Sequence, residues 1–323
     1  MIKLLMTDAN LFSKEQLEEI RAMGYDMDII SDRAQLSPDE AAVYEAVMAF
    51  GIFRSTPLEY FTNLKMAHSV ATGVEAMPVV ELAARGVPLY KGKDLYSIPM
   101  SEWVICKLLE ACKRSREMAD AQRSRTWRKR SWAFVDGTLD ELFGKKVLIV
   151  GAGDIGRMTA SMLRAFEVDS IVGVNTTGNA VAEFDRCVKM DKVKEEIGIA
   201  DIVILTCPLT STTLRLIDGE MLSLMKKSAM LVNVSRGKVI DEGALIAHLE
   251  AGGLSWFISD VFETEPLDAT SPLWSMENVI VTPHNSFITN MRPGRMAELL
   301  MRNLAAYAKG EPMEALVDYQ KGY

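Results

Sequence analysis

The chain has 323 residues, 49% of them hydrophobic and 25% charged, with a formal net charge of −8. At about 150 residues per domain this length predicts two domains, and the composition excludes a disordered tail protein, a collagen-like fibre and a small disulfide scaffold. The acidic balance argues against a molecule built to bind nucleic acid.

Cys106, Cys112, Cys187 and Cys207 form no C-x-x-C pair and no histidine spacing that suggests zinc. No metal is therefore expected, and a reduced, cytoplasmic setting is. The first ten residues lack the length and cleavage site of a signal peptide. No run of about 18 apolar residues occurs, so no membrane association is expected.

Apolar runs of strand length alternate with patterns of helical period from end to end. Residues 2–7 read as a strand, and 13–23 as a helix with Ser13 at the N-cap and Gln16 three residues on. Strands follow at 47–53 and 65–69, and helices at 75–85 and 101–122. Beyond residue 145 the alternation sharpens. Strands are expected at 146–150, 170–174, 202–206, 230–234, 256–261 and 279–282, and helices at 155–166, 218–225 and 241–251. Strands separated by helices predict parallel sheets covered on both faces, an α/β fold. Residues 113–130 carry eight basic residues and two acids, with Trp127 among them. In an acidic chain this run reads as a connector or subunit-contact arm rather than a phosphate patch.

The run Lys146-Val147-Leu148-Ile149-Val150-Gly151-Ala152-Gly153-Asp154-Ile155-Gly156-Arg157 is a strand leading into G-x-G-x-x-G and a helix. Gly151 suits the tight turn, Gly153 lets backbone approach a pyrophosphate, and Gly156 lets helix lie close to strand. The helix N-terminus then offers N–H groups to phosphate. About 20 residues on, the next strand ends at Asn175-Thr176-Thr177. An acid there would bind the adenosine ribose of NAD and repel a 2′-phosphate. Asn175 is uncharged and no arginine follows, so NADP is favoured over NAD without an evident phosphate partner. The alternative is that Asn175 caps the strand and either dinucleotide binds.

Three polar residues follow later strands, where ligands of an open α/β sheet collect: Arg236, Glu265 and His284. Each has a plain structural reading when taken singly. Together they are the set that reduction of a 2-keto acid requires. A guanidinium forks onto the carboxylate, an imidazolium gives a proton to the keto oxygen, and a carboxylate orients the imidazole and favours its charged form. His68 and His248 read as packing or surface residues.

The stretch from about residue 144 to 284 resembles the D-isomer-specific, NAD(P)-dependent D-2-hydroxyacid dehydrogenase family. The matching segments are the glycine turn, Cys207-Pro208-Leu209-Thr210, Asn233-Val234-Ser235-Arg236-Gly237, Asp260-Val261-Phe262-Glu263-Thr264-Glu265-Pro266-Leu267, and the run that ends at Thr282-Pro283-His284. The likeness reaches more weakly to Ala71-Thr72-Gly73-Val74-Glu75. The resemblance implies a Rossmann-type nucleotide domain, 101–285, inserted into a flavodoxin-like substrate domain, 1–100 and 286–323, both with doubly wound parallel sheets. It implies that Arg236 binds substrate, Glu265 supports the histidine and His284 is the acid/base.

By the same likeness Thr72 and Gly73 cradle the substrate carboxylate and Asp260 meets the nicotinamide amide. Asp154, Ile155 and Arg157 would lie along the pyrophosphate, Asn175, Thr176 and Thr177 at the ribose, and Cys207 and Pro208 beside the adenosine. A homodimer is implied. Departures stand at Glu75 and Pro78, at Asn285-Ser286 after the histidine, and at Asn175. The expected activity is reduction of a small, glyoxylate- or hydroxypyruvate-like 2-keto acid to a D-2-hydroxy acid. The rivals are a dinucleotide-sensing regulator of this fold and a dehydrogenase of another small anion such as 3-phosphoglycerate.

Overall fold

The computed structural model describes residues 1–127 and 139–319. The chain divides into two compact units, Met1–Leu95 with Thr289–Tyr323, and Tyr96–Ile288, which lies between them in sequence.

The first unit holds a five-stranded parallel sheet of β1 (Ile2–Met6), β2 (Tyr25–Ile29), β3 (Ala46–Ala49), β4 (Met66–Ser69) and β5 (Leu89–Tyr90). Its order, β2-β1-β3-β4-β5, is flavodoxin-like. Every residue of β3 and β4 is buried, as a sheet covered on both faces requires. Helices α1 (Lys14–Ala22) and α2 (Pro38–Ala42) both start with a capping box, Ser13 with Gln16 and Ser37 with Glu40.

The structure departs from the expected elements where local chemistry intervenes. The strand expected over 47–53 ends at Ala49 because the Phe50 N–H donates to Asp32 Oδ1 (3.2 Å) instead of a neighbouring strand, and Ile52–Arg54 turns as a short 3-10 helix. The helix expected from residue 75 starts only at Val79, with Pro78 at its N-cap (α3, Val79–Ala84). The edge strand β2 places Asp26 and Asp28 against Lys3 of β1 at 3.0 and 2.9 Å, a pairing that only the sheet brings about.

The second unit holds a seven-stranded parallel sheet ordered β12-β11-β10-β9-β6-β7-β8, the Rossmann order with one strand added. Its strands are β6 (Lys146–Val150), β7 (Ser170–Asn175), β8 (Arg186–Lys189), β9 (Ile202–Leu205), β10 (Met230–Asn233), β11 (Trp256–Ser259) and β12 (Val279–Val281). Alternate residues feed opposite cores. Leu148, Val150, Val203 and Leu205 join one, and Val147, Ile149, Ile202 and Ile204 the other. Each such buried aliphatic side chain contributes about 1.5–3 kcal/mol, and a one-residue slip, which exchanges the two sets between the cores, would break the packing of both.

The helix expected over 101–122 is two helices, α4 (Ser97–Lys113) and α5 (Ser115–Arg123), separated by Arg114 in the left-handed region (φ 51°). The Arg114 guanidinium lies over the Trp256 ring, 5.1 Å from its centroid. Within the basic run, Arg114, Arg116 and Arg123 pair with Glu117, Glu110 and Asp120, so much of that charge is neutralised locally. Arg128, Lys129 and Arg130, which complete the run, lie outside the described residues. The Trp127 side chain is exposed.

Candidate functional site

At the carboxyl end of β6 the chain turns into α6 (Asp154–Arg164). Gly151 has φ 114°, a conformation that disfavours any side chain, and a Cβ there would lie 2.7 Å from the Cys207 nitrogen. A Cβ on Gly156 would lie 2.0 Å from the Gly151 carbonyl oxygen, so only glycine lets α6 approach the turn. Gly153 differs, because a Cβ there would meet nothing within 4 Å. It is the N-cap of α6 and supplies no side-chain cap, which leaves the first-turn N–H groups of Asp154, Ile155 and Gly156 without helical acceptors. Open space beside uncapped N–H groups and the positive end of a helix dipole fits a pyrophosphate.

The residues around this turn are engaged as follows. Arg157, expected along the pyrophosphate, gives Nε and Nη2 to the Glu183 carboxylate at 2.9–3.1 Å. That guanidinium holds the Glu183 carboxyl below its usual range. Asn175 caps its own strand end: Oδ1 accepts from the Thr177 and Gly178 N–H groups (3.1 and 2.6 Å), and Nδ2 donates to the Asn179 carbonyl. Thr176 and Thr177 are exposed on the same loop. Cys207 follows β9 against Gly151, and burial pushes its thiol up to about 11, which keeps it protonated and unreactive. The Pro208 carbonyl accepts from Thr213 Oγ1 at 2.7 Å.

Arg236, Glu265 and His284 follow β10, β11 and β12, adjacent strands in register at Asn233, Ser259 and Val281. Arg236 is exposed, and its Nη1 donates to the Ser235 carbonyl at 2.7 Å. Two neighbours that the sequence reading did not single out shape this loop. Buried Asn233 accepts from the Ser235 N–H and hydroxyl through Oδ1. Gly237 lies so close to the next loop that a Cβ would fall 1.8 Å from the Phe262 carbonyl carbon. A glycine and an asparagine at a strand end are the only sequence signal for either.

Glu265 joins two elements: Oε1 accepts the Phe262 N–H at 3.0 Å, and Oε2 lies 2.7 Å from His284 Nδ1. A carboxylate only accepts, so Nδ1 carries the ring hydrogen and Nε2 is left for proton exchange. His284 has φ 51°, a sparsely populated conformation for a non-glycine residue. Buried Asp260 holds the backbone around it. Oδ1 accepts from Thr282 Oγ1 (2.5 Å) and the Asn285 N–H (2.9 Å), and Oδ2 from the Ser286 N–H (2.8 Å). Asp260, expected at the nicotinamide, thus spends three of about four acceptor positions on the histidine loop. Phe287 meets the His284 ring edge to face, with centroids 5.9 Å apart.

Thr72 and Gly73 stand in the first unit, on the loop after β4. Ser69 Oγ donates to the Gly73 carbonyl at 3.0 Å, while buried Thr72 Oγ1 has no partner among the described residues. Also among the described residues, no three His, Cys, Asp or Glu side chains are grouped to hold a metal ion, and no helix is long and apolar enough to cross a membrane.

Residues 105–286 match the family model described as D-isomer specific 2-hydroxyacid dehydrogenase, NAD binding domain. The chain is 33% identical over 265 residues to a glyoxylate reductase of Pyrococcus furiosus, covering 80% of this chain and 78% of that one. It is 38% identical over 179 residues to an uncharacterized protein in the proB 3′ region of Corynebacterium melassecola, covering 55% and 59%. A D-isomer specific 2-hydroxyacid dehydrogenase from Xanthobacter autotrophicus Py2, solved in complex with NADPH and MES, superposes with a TM-score of 0.74 at 28% identity, covering 99% of each chain. With its two parallel sheets, its glycine turn and these relatives, the chain belongs to the D-isomer specific 2-hydroxyacid dehydrogenase family, NAD(P)-dependent enzymes that act on small 2-hydroxy and 2-keto acids.

Proposed function

We propose that this protein reduces a small 2-keto acid of the glyoxylate or hydroxypyruvate type to its D-2-hydroxy acid, with NADPH preferred over NADH. The observation that carries this reading is the 2.7 Å contact between His284 Nδ1 and Glu265, on a loop clamped by Asp260. Likeness to a glyoxylate reductase at 33% identity supports the substrate class. The absence of an acid at Asn175 supports the cofactor preference, as does a 28% identical structure that holds NADPH.

The first turn of α6, with Gly151, Gly153, Asp154, Ile155 and Gly156, would hold the pyrophosphate, with Cys207 and Pro208 on the adenosine side. A bound nicotinamide supplies the hydride. The rest of the chemistry falls to side chains. Arg236 fixes the substrate carboxylate through two parallel N–H donors and polarises the carbonyl. His284, its Nδ1 held by Glu265, delivers the proton from Nε2 to the oxygen that gains charge. Thr72 and Gly73, through backbone N–H groups and the unpartnered Thr72 hydroxyl, would offer donors to a substrate carboxylate. In this reading residues 1–100 with 286–323 serve as the substrate domain and 101–285 as the nucleotide domain, and two copies form a dimer.

The test is a panel of 2-keto acids followed by NADPH and NADH absorbance, with wild type and His284→Gln. Turnover on a small 2-keto acid that falls about 10²- to 10⁴-fold in the variant, with dinucleotide affinity kept, is the expected result. A wild type that binds dinucleotide tightly yet turns over no 2-keto acid would overturn the proposal in favour of a regulator. Turnover confined to another anion, such as 3-phosphoglycerate, would overturn the substrate class.

A further inference from the structure

A dinucleotide carrying a 2′-phosphate needs a cation at the end of β7, and no arginine follows that strand in sequence. The cation comes from the next strand. β7 and β8 are parallel neighbours, and their last residues, Asn175 and Lys189, are paired in register. The loop leaving β7 folds back over β8 at Gly178 (φ 73°), where a Cβ would lie 3.0 Å from Lys189 Cγ and 3.8 Å from its Cε. The stem of Lys189 therefore runs along the 175–178 loop, toward which a ribose 2′ substituent would extend.

Every other described cation in this neighbourhood is spoken for. Arg186 pairs with Glu196, Lys192 with Glu195, Lys194 with Glu220, Arg157 with Glu183 and Arg164 with Asp185. The Lys189 ammonium is exposed and has no acid or hydrogen-bond acceptor among the described residues. The position where NAD-selective sites carry an acid holds Asn175 instead, whose amide is consumed by its own turn. The Thr176 hydroxyl is exposed on this loop as a neutral donor.

We propose that Lys189 is the residue that receives the adenosine 2′-phosphate, with Thr176 beside it, and so sets selectivity for NADP(H) over NAD(H). An ammonium facing a phosphate dianion gains a charge-assisted hydrogen bond that a neutral 2′-hydroxyl does not offer. The assignment rests on the reading of the glycine turn as the dinucleotide site, and the test separates the two.

The full chain is titrated calorimetrically with 2′,5′-ADP and 5′-AMP, and by fluorescence with NADPH and NADH, as wild type, Lys189→Ala, Lys189→Glu and Lys189→Arg. Wild type binds 2′,5′-ADP more tightly than 5′-AMP. Lys189→Ala weakens 2′,5′-ADP and NADPH by about 10- to 100-fold and leaves 5′-AMP and NADH within about twofold. Lys189→Glu weakens the phosphorylated ligands further, and Lys189→Arg restores them. A wild type that prefers NADPH, with the preference intact in Lys189→Ala, overturns the assignment alone. A wild type that binds NADH as tightly as NADPH also overturns it. Failure to bind either dinucleotide overturns the underlying reading of the glycine turn.

Discussion

Replacing Glu265 by Gln changes one atom and tests the link between geometry and chemistry. In the native chain Oε1 accepts the Phe262 N–H at 3.0 Å and Oε2 faces His284 Nδ1 at 2.7 Å. The Phe262 donor is fixed backbone, so the glutamine oxygen stays on it and the new NH₂ group faces Nδ1. Two donors then oppose each other whenever the ring is protonated, and the neutral ring is pushed to the tautomer with its hydrogen on Nε2. The lost charge-assisted bond is worth about 1.5–3 kcal/mol. At 1.36 kcal/mol per tenfold this is about 10- to 150-fold in kcat. The His284 and Glu265 side chains are 40% and 34% exposed, which screens the pair and places the loss toward the lower end. The assay is kcat from NADPH absorbance with glyoxylate, alongside dinucleotide affinity by fluorescence. A variant with intact affinity and kcat within twofold of wild type would refute the reasoning.

Three further outcomes are expected. Arg236→Lys raises KM for 2-keto acids by about tenfold or more, since one ammonium cannot fork onto a carboxylate, and an unchanged KM would place the substrate elsewhere. Gly156→Ala puts a methyl 2.0 Å from the Gly151 carbonyl oxygen and lowers Tm by several degrees with loss of dinucleotide binding. Gly153→Ala, with nothing within 4 Å, keeps the wild-type Tm and weakens only binding, so equal melting of the two variants would contradict the packing argument. Buried His68, with Nδ1 on the Ser69 carbonyl and Nε2 on Asn303, is held down to about 4 by desolvation. The unfolded chain takes up a proton near 6.5 that the folded chain refuses. Stability is therefore full above about pH 6.5 and falls by up to about 3 kcal/mol as pH drops toward 4. Urea midpoints at several pH values measure this slope. His68→Gln flattens it, and an equal slope in that variant would exonerate the histidine.

How readily each element could be read follows from how local its cause is. The capping box at Ser13 and Gln16 lies within four residues and the glycine turn within six, and the turn announces itself by residue type alone, although the close approach of Cys207 to Gly151 is tertiary. Edge strands β2 and β8 escaped the reading because Asp26, Asp28, Arg186 and Lys189 interrupt their apolar pattern. The break at Arg114 escaped it because nothing near residues 101–122 announces a left-handed residue, and Trp256, over which its guanidinium lies, comes 142 positions later.

The residue types at Arg236, Glu265 and His284, and their positions after three strands, are properties of the sequence alone, because strand length and helix period decide which residues emerge at the carboxyl ends of a parallel sheet. What they touch is not. Tertiary structure brings Glu265 Oε2 to His284 Nδ1 and commits the Asp260 carboxylate to the backbone around that histidine. It also turns Arg157 to Glu183 and sets Lys189 beside Asn175. Each of these is a choice among several charged or polar partners of similar chemistry. Only the packing of both faces of the sheet, which fixes register to a single residue, selects among them.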